Sequence, residues 1–309
     1  MAARPNTSVL GATSRGLALI AEISGQFGPI TVWEPDPDIG RPARNAAGVA
    51  AVTADLATTV SDAAVVICTV PQRDVETTLT AVGPLLRNGA IVIILTVGHE
   101  WTHAIASQAI PSHASIACIT WFAPPPDVSP RHPKAPRARV VAGISPAVGA
   151  HPDAVGVVQM VIEASGAECF FGEAREIDGF AAVAHAVPAV VSAAVVRSTI
   201  TPRSSRDLDR LGGAPLAALT SALDTDVPTP AELAAVGDHV ARMLRTIAED
   251  LHEIASQLDA AQVDPAFVER AVERRRAWLA ARAQPNDTLA LDDATRIPPV
   301  APRRRRLFF

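Results

Sequence analysis

The hexapeptide Gly11-Ala12-Thr13-Ser14-Arg15-Gly16 is the segment whose spacing points most directly to chemistry. It follows a short apolar run and precedes an amphipathic stretch, so the sequence predicts a strand, a tight turn and a helix start. The first amides of a helix lack partners within the helix and attract anions. A turn of this kind can therefore hold the pyrophosphate of a dinucleotide.

Two of the three glycines usual in such a turn are present. Gly11 allows the tight turn and Gly16 allows close packing of the helix, whereas Thr13 stands where a second glycine lets the backbone approach the phosphates. Thr13 either narrows that approach or, together with Ser14, offers hydroxyl donors in its place. We expect all four residues to contact or shape a cofactor site.

A carboxylate at the end of the second predicted strand indicates which dinucleotide would bind. Glu34 follows the hexapeptide at the spacing typical of a residue that accepts hydrogen bonds from ribose hydroxyls, although a solvated strand-end carboxylate is the alternative. Asp36 and Asp38 add negative charge where NADP would carry its extra phosphate, and the nearby Arg41 and Arg44 weaken that argument. The sequence favours NAD over NADP.

A third marker is a buried strand that ends in Thr69-Val70-Pro71. Ligands of open α/β sheets bind beyond the carboxyl ends of the strands. We therefore expect Thr69, Val70 and Pro71 to form a wall of the cofactor groove.

The elements that must position these residues alternate between strands and helices over residues 1–172, a pattern typical of a parallel sheet with crossover helices. Helical spacing is predicted for Arg15–Ser24, Asp74–Leu86 and Ala154–Ala164. The predicted strands are Thr7–Leu10, Ile30–Trp33, Val65–Thr69, Ile91–Leu95, Ser115–Thr120, Arg139–Ala142 and Glu168–Phe171.

Residues 173–284 lack strand signals and carry apolar residues at helical spacing, which predicts a second domain of four or five helices. Within it, residues 181–200 are too apolar to face solvent on a monomer, so we expect a homodimer through this helix. Residues 285–309 have no apolar periodicity and predict a disordered tail.

Composition narrows the class of protein. A chain of 309 residues that is 49% hydrophobic is long enough for two cores. The net charge of −5 and the charged fraction of 19% give no indication of nucleic-acid binding. Three isolated cysteines predict no metal site, and the lack of a signal-peptide or membrane-spanning pattern predicts a cytoplasmic protein without membrane contact.

The order of these segments resembles the prephenate dehydrogenase family, including the fused chorismate mutase and prephenate dehydrogenases of enteric bacteria. The likeness covers residues 7–283, and colinearity carries it because no single motif is specific. The similar segments are SDAAVVICTVP, TTLTAVGPLLRNGAIVIIL, EIDGFAAVAHAVPAVVSAAVV and LDRLGGAPLAALTSAL. The resemblance implies a Rossmann-type dinucleotide-binding domain (1–172) followed by an all-α dimerisation domain (173–284), an α/β fold overall.

The resemblance also implies hydride transfer from a ring alcohol to NAD, with loss of carboxylate, but three family site positions differ. The family's catalytic His-Pro pair is absent from Ile119–Asp127, and Trp121 stands at the histidine position. The Asp-x-x-Ser-x-Lys segment reads Ile94–His99, which places His99 at the lysine. The prolyl-histidine of the interface helix reads Pro188-Ala189.

His99 and His185 are the candidates that remain for acid-base catalysis, since histidine titrates near neutrality. For each, a buried structural side chain is the alternative. Trp121 is a candidate wall for a ring, or else a core residue. The resemblance implies that Arg242 or Arg245, one turn apart on a late helix, holds a substrate carboxylate, with a solvated surface position as the alternative for at least one of them.

The expected function is therefore an NAD(P)-dependent oxidoreductase, similar to prephenate dehydrogenases, that acts on a prephenate-like or other cyclic carboxylic acid in specialised metabolism. The missing site residues predict weak or no activity on prephenate itself. Two alternatives remain open: a non-catalytic member with a binding or regulatory role, and an enzyme of the same fold with a non-redox reaction.

Overall fold

The computed structural model describes residues 5–122, 140–201, 205–224 and 227–283. Within them, eight strands form one sheet in the order β3-β2-β1-β4-β5-β6-β7-β8. The strands are β1 (Thr7–Leu10), β2 (Ile30–Trp33), β3 (Val49–Thr53), β4 (Val65–Cys68), β5 (Ile91–Leu95), β6 (Ser115–Phe122), β7 (Val141–Pro146) and β8 (Glu168–Phe171).

All neighbouring strands run parallel except β6 and β7, which are antiparallel. The predicted parallel sheet is therefore confirmed at every pair but this one. An antiparallel neighbour can follow in the chain without a crossover helix. The strand order reverses between β1 and β4, and such a reversal opens a crevice at the carboxyl ends of the two strands.

Helices cover both faces of the sheet. The first eight are α1 (Ser14–Phe27), α2 (Pro37–Ala43), α3 (Leu56–Val60), α4 (Val75–Val82), α5 (His99–Ala109), α6 (Pro152–Ala164), α7 (Ala174–Ala181) and α8 (Val187–Thr199). Ile20 of α1 and Val161 of α6 belong to one apolar core. Leu79 of α4 and Ala106 of α5 belong to the core on the other face. Strand β4 contributes side chains to both cores, which explains its unbroken apolar run.

After β8 the described elements are helical. Helices α7 and α8 join through a π-helical segment, Ala182–Ala186, and the later helices are α9 (Ser205–Leu211), α10 (Ala214–Thr220), α11 (Pro230–Ala235), α12 (Gly237–Asp259) and α13 (Ala266–Ala283). In the described residues the helical half thus holds seven α-helices, more than the four or five predicted. A third apolar cluster joins Ala186 and Val187 to Val236 and Val240 of α12.

The chain divides into two compact units. The first consists of Met1–Pro124 and Arg139–Ala260 and contains the whole sheet, and the second consists of residues 125–138 and 261–309, of which 261–283 are described. The domain boundary predicted at residue 172 falls inside the first unit and stays a prediction. The predicted tail, 285–309, lies outside the described residues.

Candidate functional site

The turn after β1 is shaped by two glycines. Gly11 has φ +93°, a backbone conformation that L side chains rarely adopt. A Cβ on Gly16 would lie 2.4 Å from the Thr69 hydroxyl oxygen, so only glycine lets α1 begin this close to the end of β4. The Thr69 hydroxyl itself donates to the Gly11 carbonyl at 2.8 Å. The fold therefore requires glycine at both positions for steric reasons.

The Thr13 hydroxyl caps helix α1. It accepts from the Gly16 amide at 3.1 Å and donates to the Thr69 carbonyl at 3.1 Å. Its only proton is therefore used within the protein, so the hydroxyl is committed to the cap and is not a substitute donor for phosphate. The backbone amides at the start of α1 and the exposed Ser14 hydroxyl remain to meet an anion.

Glu34 lies beside the turn at the end of β2. Its Oε2 accepts from the Ala12 amide at 2.9 Å and its Oε1 accepts from the Asp36 amide at 3.1 Å. Each carboxylate oxygen has a further lone pair for a ribose hydroxyl. Nearby, the exposed Arg41 forms an ion pair with Asp38 at 3.7 Å. Its guanidinium therefore already has a carboxylate partner that a cofactor phosphate would have to displace.

A cavity of about 440 Å³ follows this turn along the carboxyl ends of β1, β4 and β5. We call it the groove cavity. The predicted site residues that line it are Thr13, Ser14, Thr69, Val70 and Pro71, joined by Arg15, Gln72, Leu95, Thr96, Val97 and Glu232. The cavity lining does not include Gly11, Gly16 or Glu34. These residues shape the cavity indirectly, because they fix the turn after β1. Five of the predicted residues therefore line one cavity, and their role toward a cofactor stays a prediction.

A second cavity of about 350 Å³ lies between the sheet and the helical half, and we call it the helix cavity. Its lining includes His185, Pro188, Trp121 and Thr120. It shares four lining residues with the groove cavity, namely Arg15, Thr96, Val97 and Glu232. A molecule in one cavity would thus border a molecule in the other.

His185 reaches the helix cavity from the π-helical segment. Pro188 lacks an amide proton and its ring would clash with the carbonyl four residues earlier in a regular α-helix. The helix widens there, so the Val187 amide donates to the Ala182 carbonyl five residues back. The His185 ring stacks on Phe122 of β6, with ring centroids 5.5 Å apart and planes at 25°. A half-buried imidazole is thereby fixed at the cavity wall.

His99 occupies a different position, because its side chain is fully buried at the start of α5 and lines neither cavity. Its Nδ1 lies 2.7 Å from the Ser145 hydroxyl and its Nε2 lies 2.9 Å from the Thr120 hydroxyl. Since the Thr120 hydroxyl donates to the Thr96 carbonyl, Nε2 must donate to Thr120 and Nδ1 must accept from Ser145. His99 thus reaches the helix cavity only indirectly, through Thr120.

Burial lowers the pKa of His99 to about 3 and also lowers the pKa of its neighbour His103. His99 therefore stays neutral in the folded chain at pH values where an unfolded chain, with an ordinary pKa of 6.5, takes up a proton. This contribution to stability is present above pH 6.5 and is lost as the pH falls toward 3.

We expect His99→Gln to remove this pH dependence, because the glutamine amide still donates and accepts but does not titrate. The loss of stability caused by the substitution should be largest near pH 7.5 and should shrink by about 1 kcal/mol per pH unit below pH 6. Urea unfolding at several pH values measures it, with the exposed His252→Gln as control. Parallel pH curves for wild type and His99→Gln would contradict the burial of a neutral His99.

Asp178 is a buried residue that sequence reasoning missed. Its carboxylate accepts from the His99 amide at 2.6 Å and from the Glu100 amide at 2.9 Å, and so caps helix α5 from α7. Burial raises the pKa of this carboxyl to about 6. The sequence signal that could have indicated this contact is an aspartate near the start of an apolar helix. A carboxylate that becomes buried there needs a partner.

Arg242 and Arg245 lie exposed on α12 and line neither cavity. An Arg242 guanidinium nitrogen lies 3.1 Å from His239 Nδ1. That either arginine holds a substrate carboxylate stays a prediction. Their exposed positions, outside the lining of both cavities, do not support it. Trp121, in contrast, is half-buried on β6 and lines the helix cavity as expected for a ring-contacting residue.

The sheet has eight strands and a cavity where the strand order reverses, and the helices that follow border a second cavity. This arrangement defines the class of dinucleotide-binding α/β folds with a helical C-terminal part. Among solved structures, prephenate dehydrogenase from A. aeolicus, in complex with hydroxyphenyl propionate and NAD+, is similar at 15% identity and TM-score 0.72. The match covers 90% of this chain and 99% of that one.

Arogenate dehydrogenase from Synechocystis is similar at 14% identity and TM-score 0.70, covering 89% of this chain and 99% of that one. A pyrroline-5-carboxylate reductase from Coxiella burnetii reaches TM-score 0.50 at 15% identity, with 90% and 93% covered. At the level of sequence, no protein-family model and no characterised protein matches. The chain has the fold of the prephenate and arogenate dehydrogenases, as the resemblance implied.

Proposed function

We propose that the protein is an NAD-dependent oxidoreductase that removes a hydride from a cyclic carboxylic acid. The observation that supports this function best is the shared border of the two cavities at Thr96 and Val97. A cofactor in the groove cavity and a substrate in the helix cavity would meet there. That juxtaposition is what hydride transfer requires.

The residues of the groove fit a dinucleotide. The amides at the start of α1 would hold the pyrophosphate, Glu34 the adenosine ribose, and Val70 and Pro71 the wall beside the second nucleotide. When bound, the cofactor supplies the hydride acceptor. Arg41 is paired with Asp38, and this supports NAD over NADP.

In the helix cavity, His185 is the side chain best placed to accept a hydroxyl proton, and Trp121 offers a flat face for a ring. The Thr120 hydroxyl already donates to the Thr96 carbonyl and accepts from His99, so it has one further lone pair for a substrate hydroxyl. We therefore assign the base role to His185 in preference to His99.

Calorimetric titration with NAD and NADP tests the cofactor assignment. We expect NAD to bind at least about tenfold more tightly, because Glu34 would repel a ribose phosphate. A preference for NADP, or no binding of either at millimolar concentration, would contradict the proposal.

Turnover is tested by absorbance at the NADH band with prephenate, arogenate and the 4-amino analogue offered in parallel. We expect weak or no turnover of prephenate, since losing a positioned general base costs roughly 10² to 10⁴ in rate. Reduction of NAD with another of these substrates supports the proposal. Rapid turnover of prephenate would show that the missing family residues are fully replaced.

We also propose that two copies associate through the helix Ala174–Thr199. It is the one helix of the described residues long and apolar enough to cross a membrane, and 33% of its most apolar window is buried within the protein. Its exposed large side chains include Phe180 and Val183, at 48% and 50% exposure. A partner copy would cover them in a cytoplasmic protein.

Light scattering measures this association, and we expect a dimer at micromolar concentration. Val183→Lys should weaken it, because it places a charge in the apolar contact, whereas Val148→Lys, at a fully exposed site on the sheet side, should not. A stable monomer for the wild type would contradict the dimer.

A further inference from the structure

The Gln72 side chain carries a buried amide whose nitrogen lacks an acceptor. Gln72 directly follows Pro71, is only 7% exposed and lines the groove cavity. Its Oε1 accepts from the Thr96 hydroxyl at 2.9 Å. Its Nε2 is buried and has no hydrogen-bond partner among the described residues. The wall of the groove cavity therefore contains an unsatisfied donor.

An unsatisfied donor at a cavity wall indicates a ligand with an acceptor atom. A buried amide hydrogen without an acceptor has lost its hydration and gained nothing in return, which is unfavourable. Folded proteins seldom leave such a group unpaired. Because Gln72 lines the groove cavity, a molecule bound in that cavity can supply the acceptor.

The hydrogen bond to Thr96 places this amide at the reactive end of the groove. Thr96 lines both the groove cavity and the helix cavity. Its hydroxyl oxygen also accepts from the Gly98 amide at 3.2 Å, which holds the hydroxyl in position. The Gln72 amide is thereby fixed where the two cavities share a border, and this is the place at which hydride transfer would occur.

We infer that Gln72 Nε2 donates to the carboxamide oxygen of the nicotinamide ring. The inference rests on the proposed function and deepens it, because it assigns a side chain to the half of the cofactor that accepts the hydride. The carboxamide oxygen is the acceptor that this ring offers, since the pyridinium nitrogen has no free lone pair. A hydrogen bond to it restrains rotation of the ring, so that one face stays toward the helix cavity.

Gln72→Met tests the contact, because methionine has a similar length and lacks the amide. The Thr96 hydroxyl can then donate to the Thr102 hydroxyl oxygen at 3.0 Å, while Thr102 still donates to the Gly98 carbonyl at 2.6 Å. Urea unfolding should therefore show a stably folded variant. Calorimetry should show NAD affinity lowered about tenfold, the effect of one lost hydrogen bond. Gln108→Met, exposed on α5 and outside both cavities, should change neither.

Titration with ADP-ribose, which lacks the nicotinamide ring, separates this inference from the function on which it rests. Gln72→Met should bind ADP-ribose as tightly as the wild type does. If the variant loses affinity for NAD and ADP-ribose equally, or keeps wild-type affinity for NAD, the inference is wrong and the proposed function stands. If the wild type binds neither molecule, the proposed function is wrong and the inference fails with it.

Two NAD analogues then identify the atom that Gln72 contacts. The 3-acetylpyridine analogue keeps the carbonyl oxygen and lacks the amino group, so the wild type should bind it as tightly as NAD. The thionicotinamide analogue carries sulfur, a weaker acceptor, and should bind roughly fivefold more weakly. Gln72→Met should bind NAD and both analogues with similar affinity. Weaker binding of the acetylpyridine analogue alone would show that the carboxamide donates to Gln72, and would overturn the assignment of Nε2 as donor.

Discussion

Gly16→Ala should weaken NAD binding by at least about 100-fold, because the added methyl group would lie 2.4 Å from the Thr69 hydroxyl oxygen and 3.1 Å from Thr69 Cβ. The Thr69 side chain is held in place, since its single hydroxyl proton is shared between the Gly11 and Leu10 carbonyl oxygens, at 2.8 and 3.1 Å. The start of α1 must therefore shift, and with it the amides that would face the pyrophosphate. Misplacing binding groups by about 1 Å commonly costs two orders of magnitude.

Gly25→Ala is the matched control, because Gly25 lies on the same helix and a Cβ there meets no atom within 4 Å. We expect it to leave NAD affinity unchanged and to stabilise the fold by about 0.5–1 kcal/mol through higher helix propensity. Gly16→Ala should also destabilise the fold by about 1–3 kcal/mol, the usual cost of overpacking. Calorimetry with NAD and urea unfolding measure both effects, and wild-type affinity in Gly16→Ala would contradict this account of the turn.

The cofactor half could be predicted from sequence because its signals are local. A glycine turn between a strand and a helix, and apolar runs such as Val65–Cys68 that are buried on both faces, indicate the fold from adjacent residues alone. The strand Val49–Thr53 was missed because it is a short edge strand of small residues that are exposed or only half-buried. Helix α5 was missed because most of its apolar residues are alanine.

The helical half was predicted in outline. The end of α8 at Thr199 and the starts of α11 at Pro230 and α13 at Ala266 follow from turn-forming residues nearby. The break between α9 and α10 at Gly212-Gly213 and the one between α11 and α12 were not recognised. The antiparallel direction of β7 relative to β6 also had no local signal, since strand direction depends on the path of the chain.

The candidate site depends on tertiary contacts that sequence cannot specify. His99 and His185 were equivalent candidates along the chain, yet the fold buries one between Ser145 and Thr120 and places the other on a cavity wall. Arg15 sat inside the recognised hexapeptide without being singled out. Only the fold brings Arg15 and Glu232, 217 positions apart in the chain, to the lining of the same two cavities.

His185→Gln should lower kcat by about 10² to 10⁴ with arogenate, an offered substrate with a ring alcohol to oxidise. Oxidation of that alcohol breaks a C–H bond, whose hydride goes to the cofactor, and an O–H bond, whose proton needs an acceptor. Glutamine retains a polar side chain at the wall of the helix cavity but takes up no proton, so the effect should fall on kcat with little change in KM.

Two matched variants make the assignment to His185 decisive. His252→Gln, exposed on α12 and remote from both cavities, should keep wild-type turnover. His99→Gln should keep turnover within about tenfold, because His99 touches the cavity only through the Thr120 hydroxyl and is held neutral by burial. A hundredfold loss in His99→Gln together with near-normal turnover in His185→Gln would move the base role to His99 acting through Thr120. Wild-type protein that binds NAD but reduces none of it with any substrate would instead count against hydride transfer itself.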